Sequence, residues 1–77
     1  MTRDEFTREF ADLLNLPPDR LTPDTDLTEL EDWDSVAYLS AMVMIDEKLG
    51  IQVRPDLISK AKTFAMILNA VDGALVH

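Results

Sequence analysis

Asp34-Ser35-Val36-Ala37-Tyr38-Leu39-Ser40-Ala41-Met42-Val43-Met44-Ile45-Asp46-Glu47-Lys48-Leu49-Gly50 reads as one helix with its own start and stop. Asp34 and Ser35 are helix-opening residues, and Gly50 stands where a helix closes on a left-handed residue. Between Val36 and Ile45 only Ser40 is plainly polar, so apolar side chains point nearly all the way round the wheel. Such a helix demands burial on every side. A chain of 77 residues can cover one side, so some apolar surface of this helix is expected to face outward as a binding surface. Met42 and Met44 suit either role, as gap-fillers in a core or as adaptable contacts.

Upstream, Leu16 to Trp33 contains three prolines, several Asp and Thr residues and no sustained period. Leu21, Leu27 and Leu30 look like pegs that dock this loop on a core, which predicts an ordered crossover rather than a disordered linker. Asp24, Asp26 and Thr28 match the first places of a calcium loop. Glu29 then stands where glycine is required and Ser35 where the bidentate glutamate belongs, so the calcium reading fails. Before the loop, Thr2 and Glu5 have capping-box spacing, and Phe6, Phe10, Leu13 and Leu14 form one stripe of an amphipathic helix ended by Pro17-Pro18.

Downstream of Gly50, Ile51-Gln52-Val53 is expected to be extended loop, since no second strand exists to pair with it. Pro55 opens a short helical turn to about Ala61. Thr63 is expected to cap a last helix carrying Phe64, Ile67, Leu68, Val71 and Leu75, which Gly73 ends or weakens. The predicted fold is all-α: a small four-helix bundle, three main helices plus one short, with a long loop between the first and second helices. One domain is expected to cover residues 1–77. Met42, Phe64 and Met66 are expected to fill its core and leave little room to shelter a ligand.

Composition narrows function. The net charge is −8, and residues 1–34 carry eleven acids against three basic residues while the remainder balances. That surface repels nucleic acid and suits a protein partner with a basic patch. There is no cysteine, only two glycines, and the one histidine, His77, is terminal, where fraying is expected. No nucleophile–base–orienter set, metal cluster or phosphate loop can be assembled, so the chain is not expected to be an enzyme. With no N-terminal apolar run that could be a signal peptide and no apolar stretch long enough to span a bilayer, a cytoplasmic location is expected, with no membrane partner.

What stands out is the Ser35 hydroxyl at a helix start, beside a carboxylate and exposed apolar surface. Ordinarily such a serine is a first-turn or capping residue. The surrounding order, however, resembles an acyl carrier protein or related peptidyl carrier domain: a first amphipathic helix, Asp24-Thr25-Asp26-Leu27, Trp33-Asp34-Ser35-Val36, Asp46-Glu47-Lys48-Leu49-Gly50-Ile51-Gln52-Val53, and a last helix from Thr63. The similarity covers about residues 3 to 76.

The resemblance implies that Ser35 carries covalent 4′-phosphopantetheine and that Asp34 helps position metal and coenzyme A during loading. The implied partners are a phosphopantetheinyl transferase with coenzyme A, and enzymes of the acyltransferase, adenylating ligase or ketosynthase type. The partner surface is expected to comprise Trp33, Val36, Tyr38, Ser40, Val43, Met44 and Glu47. Ala37 and Ser40 are expected to occupy exposed positions that carriers of fatty acid synthesis commonly fill with acids, and Val36 stands where leucine is usual. Ser35 to Leu49 holds two acids and one lysine, the negative charge having moved into the preceding loop. A free-standing, monomeric carrier of a specialised polyketide, aminoacyl or related pathway is therefore expected, with partners relying on apolar contact. The alternatives are a carrier of ordinary fatty acid synthesis, or an unmodified helical adaptor in which Ser35 merely caps the second helix, with Ser35→Ala then costing on the order of 1 kcal/mol.

Overall fold

In a computed structural model describing residues 1–76, the chain forms α1 (Arg3–Leu13), α2 (Ser35–Leu49), α3 (Pro55–Ser59) and α4 (Phe64–Val71), with single 3-10 turns at Pro18–Arg20, Leu27–Glu29 and Asp72–Ala74. His77 lies outside the described residues. The all-α bundle with one long first crossover is as expected; α3 stops two residues short of Ala61, and Ile51–Val53 is extended loop.

Local chemistry accounts for the start of α1. The Thr2 hydroxyl accepts from the Glu5 amide at 3.2 Å, and the Glu5 carboxylate accepts from the Thr2 amide at 3.1 Å. Those Thr2 hydrogen bonds hold the Glu5 carboxyl below its ordinary value. A depressed folded-state pKa contributes stability that is present above the unfolded value and is lost as pH falls through the folded one. The Thr2 amide resonance should therefore titrate at a pH below that of a free glutamate, and Glu5→Gln should abolish that titration.

The end of α1 corrects the expectation that Pro17-Pro18 stops it. Asn15 sits in the left-handed region at φ 58°, its amide donates to the Asp12 carbonyl at 3.1 Å, and the Leu16 amide reaches back to Ala11 at 2.9 Å. This is a complete Schellman closure, and the prolines come after the helix is already over. Asparagine tolerates that conformation, whereas a β-branched residue does not. Asn15→Val should thus lower stability by about 1–2 kcal/mol, read as a reduced urea midpoint, with Asn15→Gly at or above the wild-type midpoint.

The crossover is built into the fold rather than draped over it. Leu21 and Leu27 are buried and Leu30 half-buried, as their spacing implied. The loop also finishes α4: Phe64 and Ala65 amides donate to the Thr25 and Pro23 carbonyls at 3.1 and 2.9 Å, and the Leu27 amide donates to Lys62 at 2.8 Å. Thr63, expected to cap α4 with its hydroxyl, makes no side-chain capping bond. The loop backbone has taken that role, so the orphan amides of the helix are satisfied by tertiary structure. α4 ends at Val71 in a 3-10 turn through Gly73, and Leu75 is buried beyond it.

Three phenylalanines from two helices form the centre. Phe6, Phe10 and Phe64 are fully buried, with Phe64 stacked on Phe6 at 6.2 Å and tilted against Phe10 at 5.1 Å. Phe10 continues the ring chain to Trp33 at 5.5 Å, and Trp33 meets Tyr38 edge-on at 4.8 Å. Each such pair contributes roughly 0.5–1.5 kcal/mol beyond its buried area. Of the other two residues expected to fill the core, Met42 is only partly buried and Met66 is 48% exposed. Met66 lies off the buried face of α4 that Phe64, Ile67, Leu68 and Val71 form, and its sulfur accepts the Lys62 amide at 3.4 Å.

Candidate functional site

α2 presents its two faces unequally. Ala37, Ala41 and Ile45, at i, i+4 and i+8, are buried toward the bundle, so Ala37 does not stand at the exposed position expected of it. Val36, Leu39 and Val43, on the other side, are 71%, 63% and 49% exposed. The nearly uniform apolar wheel hid this division, although the two alanines marked the inner face: a small side chain lets a helix approach its neighbours closely. Leu39 was missed as surface. Leu is ordinarily read as core, and only its place one turn after Val36 could have shown otherwise.

At the head of this helix, Asp34 is the cap. Its carboxylate accepts from the Ala37 amide at 3.0 Å and its carbonyl from the Tyr38 amide at 2.9 Å. Ser35 follows as the first helical residue. It is exposed, and its hydroxyl makes no hydrogen bond to any described residue. The capping role allowed for Ser35 therefore belongs to Asp34, and the serine oxygen has no structural task.

Trp33 stands differently from the expectation. It is 7% exposed, locked between Phe10 and Tyr38, so it supplies no aromatic surface beside Ser35. Its indole N–H is buried without an acceptor among the described residues, a penalty accepted for the area the ring covers. The physical consequence is positional: a buried ring two residues before Ser35 pins the end of the loop to the core and fixes where α2 begins. Tyr38 is half-buried against it, Met44 half-buried, and Ser40 and Glu47 exposed.

The arrangement offers one accessible oxygen with no base in contact, so the hydroxyl is not activated from within. Among the described residues no group of three or more His, Cys, Asp or Glu side chains could hold a metal ion. A phosphodiester on Ser35 fits what is present: among the described residues the oxygen has no hydrogen-bond partner, and the Ser35 and Val36 amides have no acceptor. The helix start adds roughly 0.3–1 kcal/mol of favourable field for an exposed anion. A groove of about 410 Å³ runs beside α2, lined by Leu39, Met42, Val43, Asp46, Gln52, Val53 and Pro55, and it is open to solvent.

An unengaged hydroxyl at the mouth of the central helix of a small bundle is what a site of covalent attachment requires. The family model described as the phosphopantetheine attachment site matches residues 4–71, and the chain belongs to that family of acyl and peptidyl carrier proteins. It carries covalent 4′-phosphopantetheine and holds thioester-bound intermediates without catalysing their reactions. It works with a phosphopantetheinyl transferase and with biosynthetic enzymes. No curated protein and no solved structure gives a significant match. No helix among the described residues is long and apolar enough to cross a membrane.

Proposed function

We propose that Ser35 is the attachment residue and that the chain serves a specialised polyketide, aminoacyl or related pathway. The observation that carries the assignment is the exposed, unbonded hydroxyl at the first position of α2, inside the matched span. Loading joins the Ser35 oxygen to the pantetheine-side phosphorus of coenzyme A. The diphosphate bond breaks, adenosine 3′,5′-bisphosphate leaves, and the hydroxyl proton passes to the transferase. When bound, the arm supplies the thiol that no residue of this chain provides. Asp34 holds the first turn in place for that encounter, and Val36, Tyr38, Ser40, Val43, Met44 and Glu47 form the surface that enzymes meet.

The charge pattern supports the specialised-pathway reading. α2 is nearly neutral and its outer face apolar, which suits partners that recognise shape and apolar contact over a run of acids on the helix. The groove beside α2 is open, so an acyl chain lying in it stays accessible to hydrolysis. The chain acts as a monomer in the cytoplasm. Incubation with coenzyme A and a broad-range transferase should add the mass of one arm, mapped by peptide sequencing to Ser35. An unchanged mass, or an arm on another residue, would reject the assignment.

A further inference from the structure

We propose that Met66 is a site of oxidation by hydroperoxides, and that its sulfoxide tightens the start of α4 instead of disrupting the core. The chain has no cysteine, so its four methionine thioethers are the only sulfur it encodes. They are not equivalent. Met1, Met42 and Met44 are partly buried and pack against the core, whereas Met66 is 48% exposed, off the buried face of α4. A peroxide in solvent reaches the Met66 sulfur more readily than the two on α2.

Its place in the helix gives that exposure a structural consequence. With Thr63 as the N-cap, Met66 is the third residue of α4, the position from which a glutamate or glutamine reaches back in a capping box. Here a thioether does the reaching. The Met66 sulfur accepts the Lys62 amide at 3.4 Å, and no carbonyl among the described residues competes for that amide. The Thr63 hydroxyl makes no capping bond. Sulfur is a weak acceptor, so the one side-chain bond closing the start of α4 among the described residues is a poor one.

Oxidation replaces that acceptor with a better one. A sulfur lone pair attacks the terminal oxygen of the hydroperoxide and the O–O bond breaks. The proton of the transferred hydroxyl passes to the departing oxygen, which leaves as water or an alcohol; the sulfur loses two electrons and the peroxide gains them. The resulting S–O group is polar, and in a packed core it is destabilising. At Met66 it meets solvent on one side and the Lys62 N–H on the other. Three rotatable bonds let the exposed side chain draw back until its oxygen takes the place of the sulfur. Lys62 is also where the crossover docks, its carbonyl accepting the Leu27 amide at 2.8 Å, so a firmer hold on Lys62 steadies the loop as well as α4.

The test treats the full chain, with any arm thiol alkylated beforehand, with a limiting dose of hydrogen peroxide. Peptide mapping should find oxygen on Met66 about threefold or more faster than on Met42 or Met44. In the chain carrying one oxygen, on Met66, the Lys62 amide should exchange with deuterium about threefold more slowly, a change within the net worth of one hydrogen bond. The urea midpoint of that species should stand at or above that of the unmodified chain. Treatment with both methionine sulfoxide reductases should restore the original exchange rate. Met66→Gln should slow exchange at Lys62 without peroxide, and Met66→Leu should speed it and make it indifferent to peroxide. Oxidation of Met42 or Met44 as fast as Met66 would overturn the site. Preferential oxidation of Met66 that lowers the urea midpoint or speeds exchange at Lys62 would overturn the tightening while leaving the site. A Met66→Leu chain with wild-type exchange at Lys62 would show that the sulfur does not hold that amide, and the proposed cap would fall with it.

Discussion

Ser35→Ala is expected to abolish arm addition completely while leaving the thermal and urea unfolding curves within about 0.5 kcal/mol of wild type. The serine hydroxyl makes no hydrogen bond to the described residues, so its removal orphans no donor or acceptor. Alanine is also a slightly better helix former than serine in a first turn. Asp34→Ala makes the contrast, because it leaves the Ala37 amide without its acceptor and should cost about 0.5–2 kcal/mol. Intact mass after incubation with coenzyme A and transferase, alongside urea titrations of all three proteins, separates the two roles. A Ser35→Ala protein destabilised as much as Asp34→Ala would mean that the hydroxyl is structural after all.

Trp33→Ala should be among the most damaging single changes in the chain. The ring is 7% exposed and packs on Phe10 at 5.5 Å and Tyr38 at 4.8 Å. Truncating a buried aromatic costs about 3–5 kcal/mol. At about 0.05–0.15 kcal/mol per residue, a domain of this size has only ~4–12 kcal/mol to lose. The variant should therefore be largely or partly unfolded at 37 °C. Trp33→Phe should be much milder, since it keeps an aromatic ring and removes the N–H that is buried without an acceptor. Far-ultraviolet circular dichroism through a urea titration measures both, and a Trp33→Ala loss under 1 kcal/mol would show that the loop end is not anchored by this ring.

Trp33 also shows where sequence reading fails. An aromatic beside a candidate attachment serine, after a polar acidic loop, looks like contact surface. Its burial depends on Phe10, twenty-three residues earlier, being close enough to receive it, and no local pattern encodes that. Met66 failed in the opposite direction. It lies in an apolar helix and reads as core, yet its position on the wheel turns it outward. Thr63 failed because a capping hydroxyl is a local solution, and the crossover supplied carbonyls of its own.

Features whose partners lie within one helical turn were legible in the residues alone. These include the Thr2–Glu5 box, the start of α2 at Asp34, its close at Gly50, and the serine that follows the cap. Their energies come from hydrogen bonds and backbone preferences spanning three or four residues, so composition and spacing suffice to specify them. The closure at Asn15 belongs to the same class, although the nearby prolines obscured it. Tertiary structure alone decided which side of the apolar second helix is hidden, which aromatic is core, and what closes the start of α4. Each of those depends on surfaces brought together from distant parts of the chain, and burial is settled only when they meet.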